Sequence, residues 1–299
     1  MTSAELPAPY GEGAAPSTPA REATAPAPAP AETKPAGRIR IHHLQQAKDQ
    51  GRHFAMLTAY DQYAAQVFDE AGIELLLIGD SAANNVLGHA TTLPITLDEM
   101  ILFSRAVSRA TTRALVVADL PFGSYEVSPQ QAVESSVRLL KEGLVHAVKM
   151  EGGADYADTV RALVRAGIPV MAHIGFTPQS EHALGGYRVQ GRGEALQRIV
   201  DDAVALADAG AFCVLMEMVP AETANAVDAA VRVPTIGIGA GPGTTGQVLV
   251  WQDMAGLRGG RQAKFVKQYA DVRSVLSNAA RAYAEDVRAG TFPGPEHTF

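Results

Sequence analysis

Short, nearly continuous apolar runs recur along the chain at residues 54–58, 73–80, 114–118, 145–151, 168–173, 212–217 and 235–238. The stretches between them, at 63–71, 97–110, 130–142, 159–166, 196–209, 223–231 and 271–288, return an apolar residue every three or four positions. The first pattern predicts strands buried on both faces, as in a parallel sheet, and the second predicts amphipathic helices. Gly72, Gly143, Gly167 and Gly210 close four of the helical stretches, and glycine suits the left-handed position just past a helix end. The resulting strand–helix alternation predicts either a doubly wound open sheet or a barrel. Seven clear strands and a candidate eighth at 248–251 favour the barrel, an α/β fold of the (β/α)8 TIM type.

Five of the runs reach an ionisable side chain, Asp80, Asp119, Glu151, His173 and Glu217, and a further one, Lys149, lies inside the fourth run. Burying these groups separately would cost several kcal/mol each, so strands that end in charge usually aim it at a shared site. Barrel enzymes keep their chemistry at the C-terminal ends of the strands. Side chains two apart on a strand share a face, so Lys149 points with Glu151, and Leu215 with Glu217. In a barrel, Asp80, Asp119 and Glu151 converge at the rim. Three crowded carboxylates repel, and either one takes up a proton or a cation neutralises them. An all-oxygen donor set, completed by water and substrate, suits Mg²⁺ better than zinc. The plainer alternative is that each acid caps a helix or pairs with a surface arginine.

Composition narrows the setting. The chain has 299 residues, 47% of them hydrophobic and 19% charged, enough for one sizeable core. Eight of the 18 prolines lie before residue 36 among Ala, Glu and Thr, which predicts a disordered tail over 1–37 and a single barrel domain over 38–299. A net charge of −7 argues against a nucleic-acid partner. No apolar stretch has membrane-spanning length and no compact secretory block opens the chain, so a cytoplasmic protein with no membrane partner is expected. The one cysteine, Cys213, sits in a strand-like run as a buried packing residue.

Seven segments carry a resemblance: LTAYD at 57–61, IGDSA at 78–82, ADLPF at 118–122, VKMEGG at 148–153, AHIGFTPQS at 172–180, GGYRVQGR at 185–192 and IGIGAG at 236–241. In this order, and with EHTF at 296–299, they resemble the ketopantoate hydroxymethyltransferases from about residue 39 to the end. The resemblance implies a barrel related to the phosphoenolpyruvate/pyruvate-binding enzymes and assembled as a homodecamer. It implies transfer of a one-carbon unit from 5,10-methylenetetrahydrofolate to 3-methyl-2-oxobutanoate, giving 2-dehydropantoate for pantothenate and coenzyme A through an enolate stabilised by Mg²⁺. Carried over by position, one Mg²⁺ per subunit is held by Asp80, Asp119 and Glu151. Asp80, Ser81, Asp119, Lys149 and His173 serve the oxo acid, and Glu217 is the proton acceptor.

Other features are weaker. The glycine-dense 237–243 stretch does not have dinucleotide-binding spacing. The loop at 185–193 offers Tyr187, Arg188 and Arg192 to a lid or an anionic folate tail, and equally reads as a solvated loop. His89 and Tyr60 are candidates for pocket lining or packing, and Trp251 for packing or a subunit contact more than for stacking on a pterin. Ala90, Glu181-His182 and Thr245 depart from the family pattern. Two further classes remain open from the residues alone: another metal-dependent 2-oxo acid enzyme of the same superfamily, and a non-catalytic barrel, which would be expected to lack one of Asp80, Asp119, Lys149 or Glu217.

Overall fold

Eight parallel strands form a closed barrel in the computed structural model, which describes residues 37–299. The expected tail lies outside the described residues except for Gly37. The strands are β1 (Phe54–Thr58), β2 (Leu75–Ile78), β3 (Leu115–Asp119), β4 (Ala147–Glu151), β5 (Val170–Gly175), β6 (Cys213–Glu217), β7 (Thr235–Ile238) and β8 (Gly246–Leu249). Each pairs with the next, and β8 closes on β1 with Phe54 opposite Gly246 and Leu57 opposite Leu249. The helices are α1 (Ile41–Asp49), α2 (Gln62–Ala71), α3 (Ala82–Asn85), α4 (Leu97–Ala110), α5 (Pro129–Glu142), α6 (Ala157–Arg165), α7 (Glu181–Leu184), α8 (Ala195–Asp208), α9 (Ala221–Ala230), α10 (Trp251–Met254) and α11 (Val272–Ala289).

Local chemistry sets the helix starts. Asp61 accepts from the backbone of Tyr63 and Ala64 at the head of α2. At α4, Thr96 Oγ1 accepts from Glu99 N at 3.2 Å while Glu99 Oε2 accepts from Thr96 N at 2.8 Å, a reciprocal cap.

Strand alternation then divides the core in two. Val116, Ala118, Val148, Ala172, Val214 and Met216 face outward to the helices. Leu115, Val117, Ala147, Met171, Cys213 and Leu215 face into the barrel. The same parity brings Asp119, Lys149, Glu151, His173 and Glu217 inward at the C-terminal ends.

Three details differ from the sequence expectation. Gly143 has φ −83°, and Leu144 takes the left-handed conformation instead. Gly143 is required for contact, since a Cβ there would lie 2.6 Å from Leu139 O and 2.9 Å from Ser104 Cβ. Strand β8 begins two residues earlier than its apolar run, at Gly246, which pairs with Phe54 and leaves the space a Cβ would need to the Phe54 ring; Trp251 already belongs to α10. Helix α1 carries too thin an apolar stripe, Leu44 and Ala47, to announce itself. These two residues and Ile39 pack with Phe54, Met56 and Leu75. Lys48 Nζ donates to Val231 O and Val233 O ahead of β7, and Arg38 donates to Thr111 O and Ala114 O ahead of β3. α1 thus closes the N-terminal floor of the barrel.

At the opposite end, Gly175 has φ +88°, and a Cβ there would come within 2.4 Å of Glu217 O. Phe176 N donates to that same oxygen at 2.8 Å. Gly175→Ala is expected to destabilise the protein by more than about 1–2 kcal/mol and to shift the end of β6. An unchanged denaturation midpoint would mean that the two strand ends separate freely.

Among the described residues, α11 buries none of its side chains, and Val275, Leu276, Tyr283 and Val287 are exposed along it. No helix among the described residues is long and apolar enough to cross a membrane.

Candidate active site

The inward-facing charges meet in one chamber at the C-terminal mouth of the barrel, lined by Asp80, Ser81, Asp119, Lys149, Glu151, His173 and Glu217. Register explains the meeting. Asp119 lies opposite Lys149, Glu151 opposite His173, and Glu217 opposite Gly175 on neighbouring strands. Asp80 arrives differently, since β2 ends at Ile78 and Asp80 occupies the turn that follows. Its backbone N donates to Asp119 Oδ2 at 3.0 Å, so the turn itself is fastened to β3.

All six ionisable groups are between 2% and 7% exposed, so their charges act in a medium far less polarisable than water. Lys149 Nζ donates to Asp119 Oδ1 at 2.7 Å. His173 stands between two acids, with Nδ1 3.3 Å from Glu151 Oε1 and Nε2 3.5 Å from Glu217 Oε2. Neither contact has hydrogen-bond alignment. At this end of the chamber, among the described residues, four carboxylates therefore share one ammonium. Desolvation first, then Asp119 and Glu151, push the Asp80 carboxyl up to about 8. Desolvation pushes Glu151 up to about 7 against the pull of Lys149, and it also raises Glu217. Burial followed by Lys149 keeps His173 below its ordinary value. Burial alone would lower the Lys149 ammonium, but Asp119, then Glu151 and Asp80, outweigh it and hold it raised.

Two residues outside the expected site set organise the acids. The Gln179 side chain donates to Asp80 Oδ2 at 2.9 Å and to Leu120 O at 3.0 Å, and its backbone N donates to Glu151 Oε2 at 2.9 Å. Tyr125 OH contacts Gln179 Oε1 at 2.6 Å and Glu151 O at 3.2 Å. Tyr60 OH lies 2.8 Å from Ser81 Oγ. Tyr187 lines the chamber, whereas Arg188, Arg192 and His89 are exposed. Trp251 stands 6.1 Å from Phe68, ring to ring, as a packing residue. Cys213 is fully buried. None of Ala90, Glu181, His182 or Thr245 lines the chamber.

Among the described residues, no three His, Cys, Asp or Glu side chains close into a ready metal cage. Asp80, Asp119 and Glu151 share the chamber without forming one, because both Asp119 oxygens are engaged and Glu151 Oε1 faces His173. The donor set still fits Mg²⁺, which is held through one or two carboxylates and keeps several waters. Among the described residues, Glu151 Oε1 is buried without a hydrogen-bond partner, one Asp80 oxygen is outside any hydrogen bond, and the surplus of carboxylates calls for a cation.

A closed parallel (β/α)8 barrel with buried acids at its C-terminal mouth defines a barrel enzyme. Among solved structures it shares its fold with 2,3-dimethylmalate lyase, a PEP mutase/isocitrate lyase superfamily member, at TM-score 0.55 and 20% identity over 85% of this chain and 89% of that one. Phosphonopyruvate hydrolase in complex with oxalate and Mg²⁺ gives TM-score 0.54 and 16% identity over 86% and 92%. The sequence is more specific: the family model for ketopantoate hydroxymethyltransferase matches residues 38–295, and the chain belongs to that family. The 3-methyl-2-oxobutanoate hydroxymethyltransferase of Paenarthrobacter aurescens is 73% identical over 298 residues, covering 100% of this chain and 97% of the relative. That of Mycobacterium bovis is 57% identical over 270 residues, covering 90% and 96%. The barrel, the transferase class and the family expected from the sequence are borne out.

Proposed function

We propose that the protein, acting through a single catalytic unit over 38–299, converts 3-methyl-2-oxobutanoate, 5,10-methylenetetrahydrofolate and water into 2-dehydropantoate and tetrahydrofolate in pantothenate synthesis. C3 of the oxo acid loses its proton and bonds to the methylene carbon. That carbon exchanges its two bonds to folate nitrogens for one to C3 and one to a hydroxyl derived from water. The observation that carries this reading is Glu217, a buried carboxylate with a raised pKa in the same chamber as Lys149, Asp119 and Asp80.

Glu217 takes the C3 proton, and desolvation brings its basicity toward that task. Lys149, held by Asp119, sets fixed positive charge toward the substrate carboxylate or the enolate oxygen. Ser81 and His173 contact the oxo acid as polar neighbours, and His173 stays neutral between its two acids. Asp80, Asp119 and Glu151 would hold Mg²⁺, directly or through its waters. When bound, the ion supplies Lewis acidity toward the 2-oxo acid and makes the neighbouring C–H more acidic.

Incubation with both substrates and Mg²⁺, followed by NMR detection of 2-dehydropantoate, tests the reading. Turnover of a different oxo acid without folate would replace it with a lyase or mutase of the same superfamily.

The raised carboxyls add a pH signature. Asp80 and Glu151 hold protons up to about 8 and about 7, and metal binding must expel them. Apparent Mg²⁺ affinity is expected to rise from pH 6 to 8.5, by up to about tenfold per pH unit for each proton released; calorimetry in two buffers of different ionisation enthalpy counts those protons. In metal-free protein the sign is opposite. Both folded-state values lie above the ordinary ones of 3.8 and 4.5, so the contribution of these groups to stability is full below those values and is lost as the pH rises through 7 to 8. Affinity independent of pH would separate these acids from the metal.

The exposed apolar side chains of α11 support self-association, and a cytoplasmic homo-oligomer, the decamer of the family resemblance, is the proposed assembly.

A further inference from the structure

The chamber has a second polar end. Across the barrel from the acids of β3 to β6, the side formed by β8 and β1 contributes Asp253 from α10 and Arg258 from the loop after it. Asp253 is 3% exposed. Among the described residues its carboxylate makes no hydrogen bond, and its one ionic contact is Arg258 Nη1 at 3.7 Å. A buried carboxylate left in this state is costly. Neither residue has a part in holding Mg²⁺ or the oxo acid, and an oxo acid, which offers only acceptors on its charged end, would be repelled by Asp253. Tyr187 ties the two ends into one space. Its hydroxyl is pushed up by burial and then by Glu181, Glu217 and Asp80, while Arg258 pulls it down.

We propose that Asp253 and Arg258 form the pterin-recognition edge of the folate site, with the Asp253 carboxylate accepting from the 2-amino group and N3–H and the Arg258 guanidinium donating to the 4-oxo group. The inference rests on a reduced folate being the one-carbon donor. The pyrimidinone edge of a pterin presents donor, donor, acceptor; a carboxylate beside a guanidinium presents acceptor, acceptor, donor in the same order. The ligand thereby supplies both N–H groups that Asp253 lacks. Of the one-carbon nitrogens, N5 lies on the second ring beside the 4-oxo group and N10 beyond C6, both away from the 2-amino end that Asp253 holds.

Tetrahydrofolate, which carries the pterin edge but no transferable carbon, is the probe, together with its 2-desamino analogue. Asp253→Asn is expected to weaken tetrahydrofolate binding about 10- to 100-fold and to raise the KM for methylenetetrahydrofolate in step. Removal of the 2-amino group should cost the wild-type enzyme a comparable factor and the variant little more. Exchange of the C3 hydrogen of 3-methyl-2-oxobutanoate in D₂O with Mg²⁺ and no folate should persist in the variant. Tetrahydrofolate binding within about threefold of wild type, or exchange lost in proportion to binding, overturns the site. If Asp253→Asn does not fold, the desamino comparison in the wild type and Arg258→Met decide: equal affinity for both folates, or unaltered binding in Arg258→Met, also overturns it. A wild-type enzyme that exchanges C3 hydrogen without binding tetrahydrofolate removes the folate donor and this site together. One that binds tetrahydrofolate through Asp253 without exchange leaves this site standing and removes Glu217 as base.

Discussion

Glu217→Gln is expected to slow C3 hydrogen exchange of 3-methyl-2-oxobutanoate by about 10²–10⁴-fold, the usual worth of a positioned general base, while leaving Mg²⁺ and oxo acid binding within a few fold of wild type. Glutamine keeps the volume and the contact surface at the end of β6 but cannot take the proton. A second base at this spot is His173, whose Nε2 lies 3.5 Å from Glu217 Oε2. Burial and then Lys149 hold its pKa below the ordinary value, and exchange that remains in the variant is assigned to it. NMR of the C3 proton in D₂O reads the rate without requiring folate, and exchange at the wild-type rate would remove Glu217 as the base.

Lys149→Met carries the second large effect, and it acts on stability as well as on rate. The ammonium is 2.7 Å from Asp119 Oδ1, with side chains 5% and 2% exposed. Replacing a buried ion pair by apolar groups is often close to neutral, whereas removing one partner leaves an uncompensated charge at a cost of about 3–5 kcal/mol. Metal-free Lys149→Met is therefore expected to lose that much in urea unfolding, and Lys149→Met/Asp119→Asn to recover most of it. Added Mg²⁺ should restore part of the single variant's loss by supplying a cation to the abandoned carboxylate. Product formation in Lys149→Met should fall about 10²–10³-fold, as on losing one preorganised electrostatic donor. A stability loss below about 1 kcal/mol in the single variant would show that Asp119 is balanced by other groups.

Much of the architecture was readable from alternation alone. All seven clear strands and all seven long predicted helices lie within two residues of their observed bounds, because each strand is buried on both sides and each helix shows one apolar face. β2 differs in a telling way: the apolar run continues to Ile78, but the chain then turns at Gly79, and only that turn brings Asp80 to the chamber. Strand parity would have sent residue 80 outward with Leu76 and Ile78. Asp119, Lys149, Glu151, His173 and Glu217 were legible because period-two geometry fixes their direction. Gln179, Tyr125 and Asp253 were not. Each sits on a turn or short helix whose path is set by tertiary contacts, and a glutamine or tyrosine in such a segment has the same local signature whether it meets water or two buried carboxylates. Gly143 shows the same limit: the residue was singled out correctly, but its reason is the closeness of Ser104 on α4 and not its own φ.

Among the described residues, the stopper that α1 places under the barrel leaves the C-terminal mouth as the doorway. On the proposed reading, a pterin held by Asp253 would cover an oxo acid bound beside Glu217, and the two reactants are then expected to queue: oxo acid first, folate behind it, and spent folate out before the new hydroxy acid can follow. Steady-state kinetics should accordingly be sequential and ordered, with tetrahydrofolate trapping the smaller molecule inside.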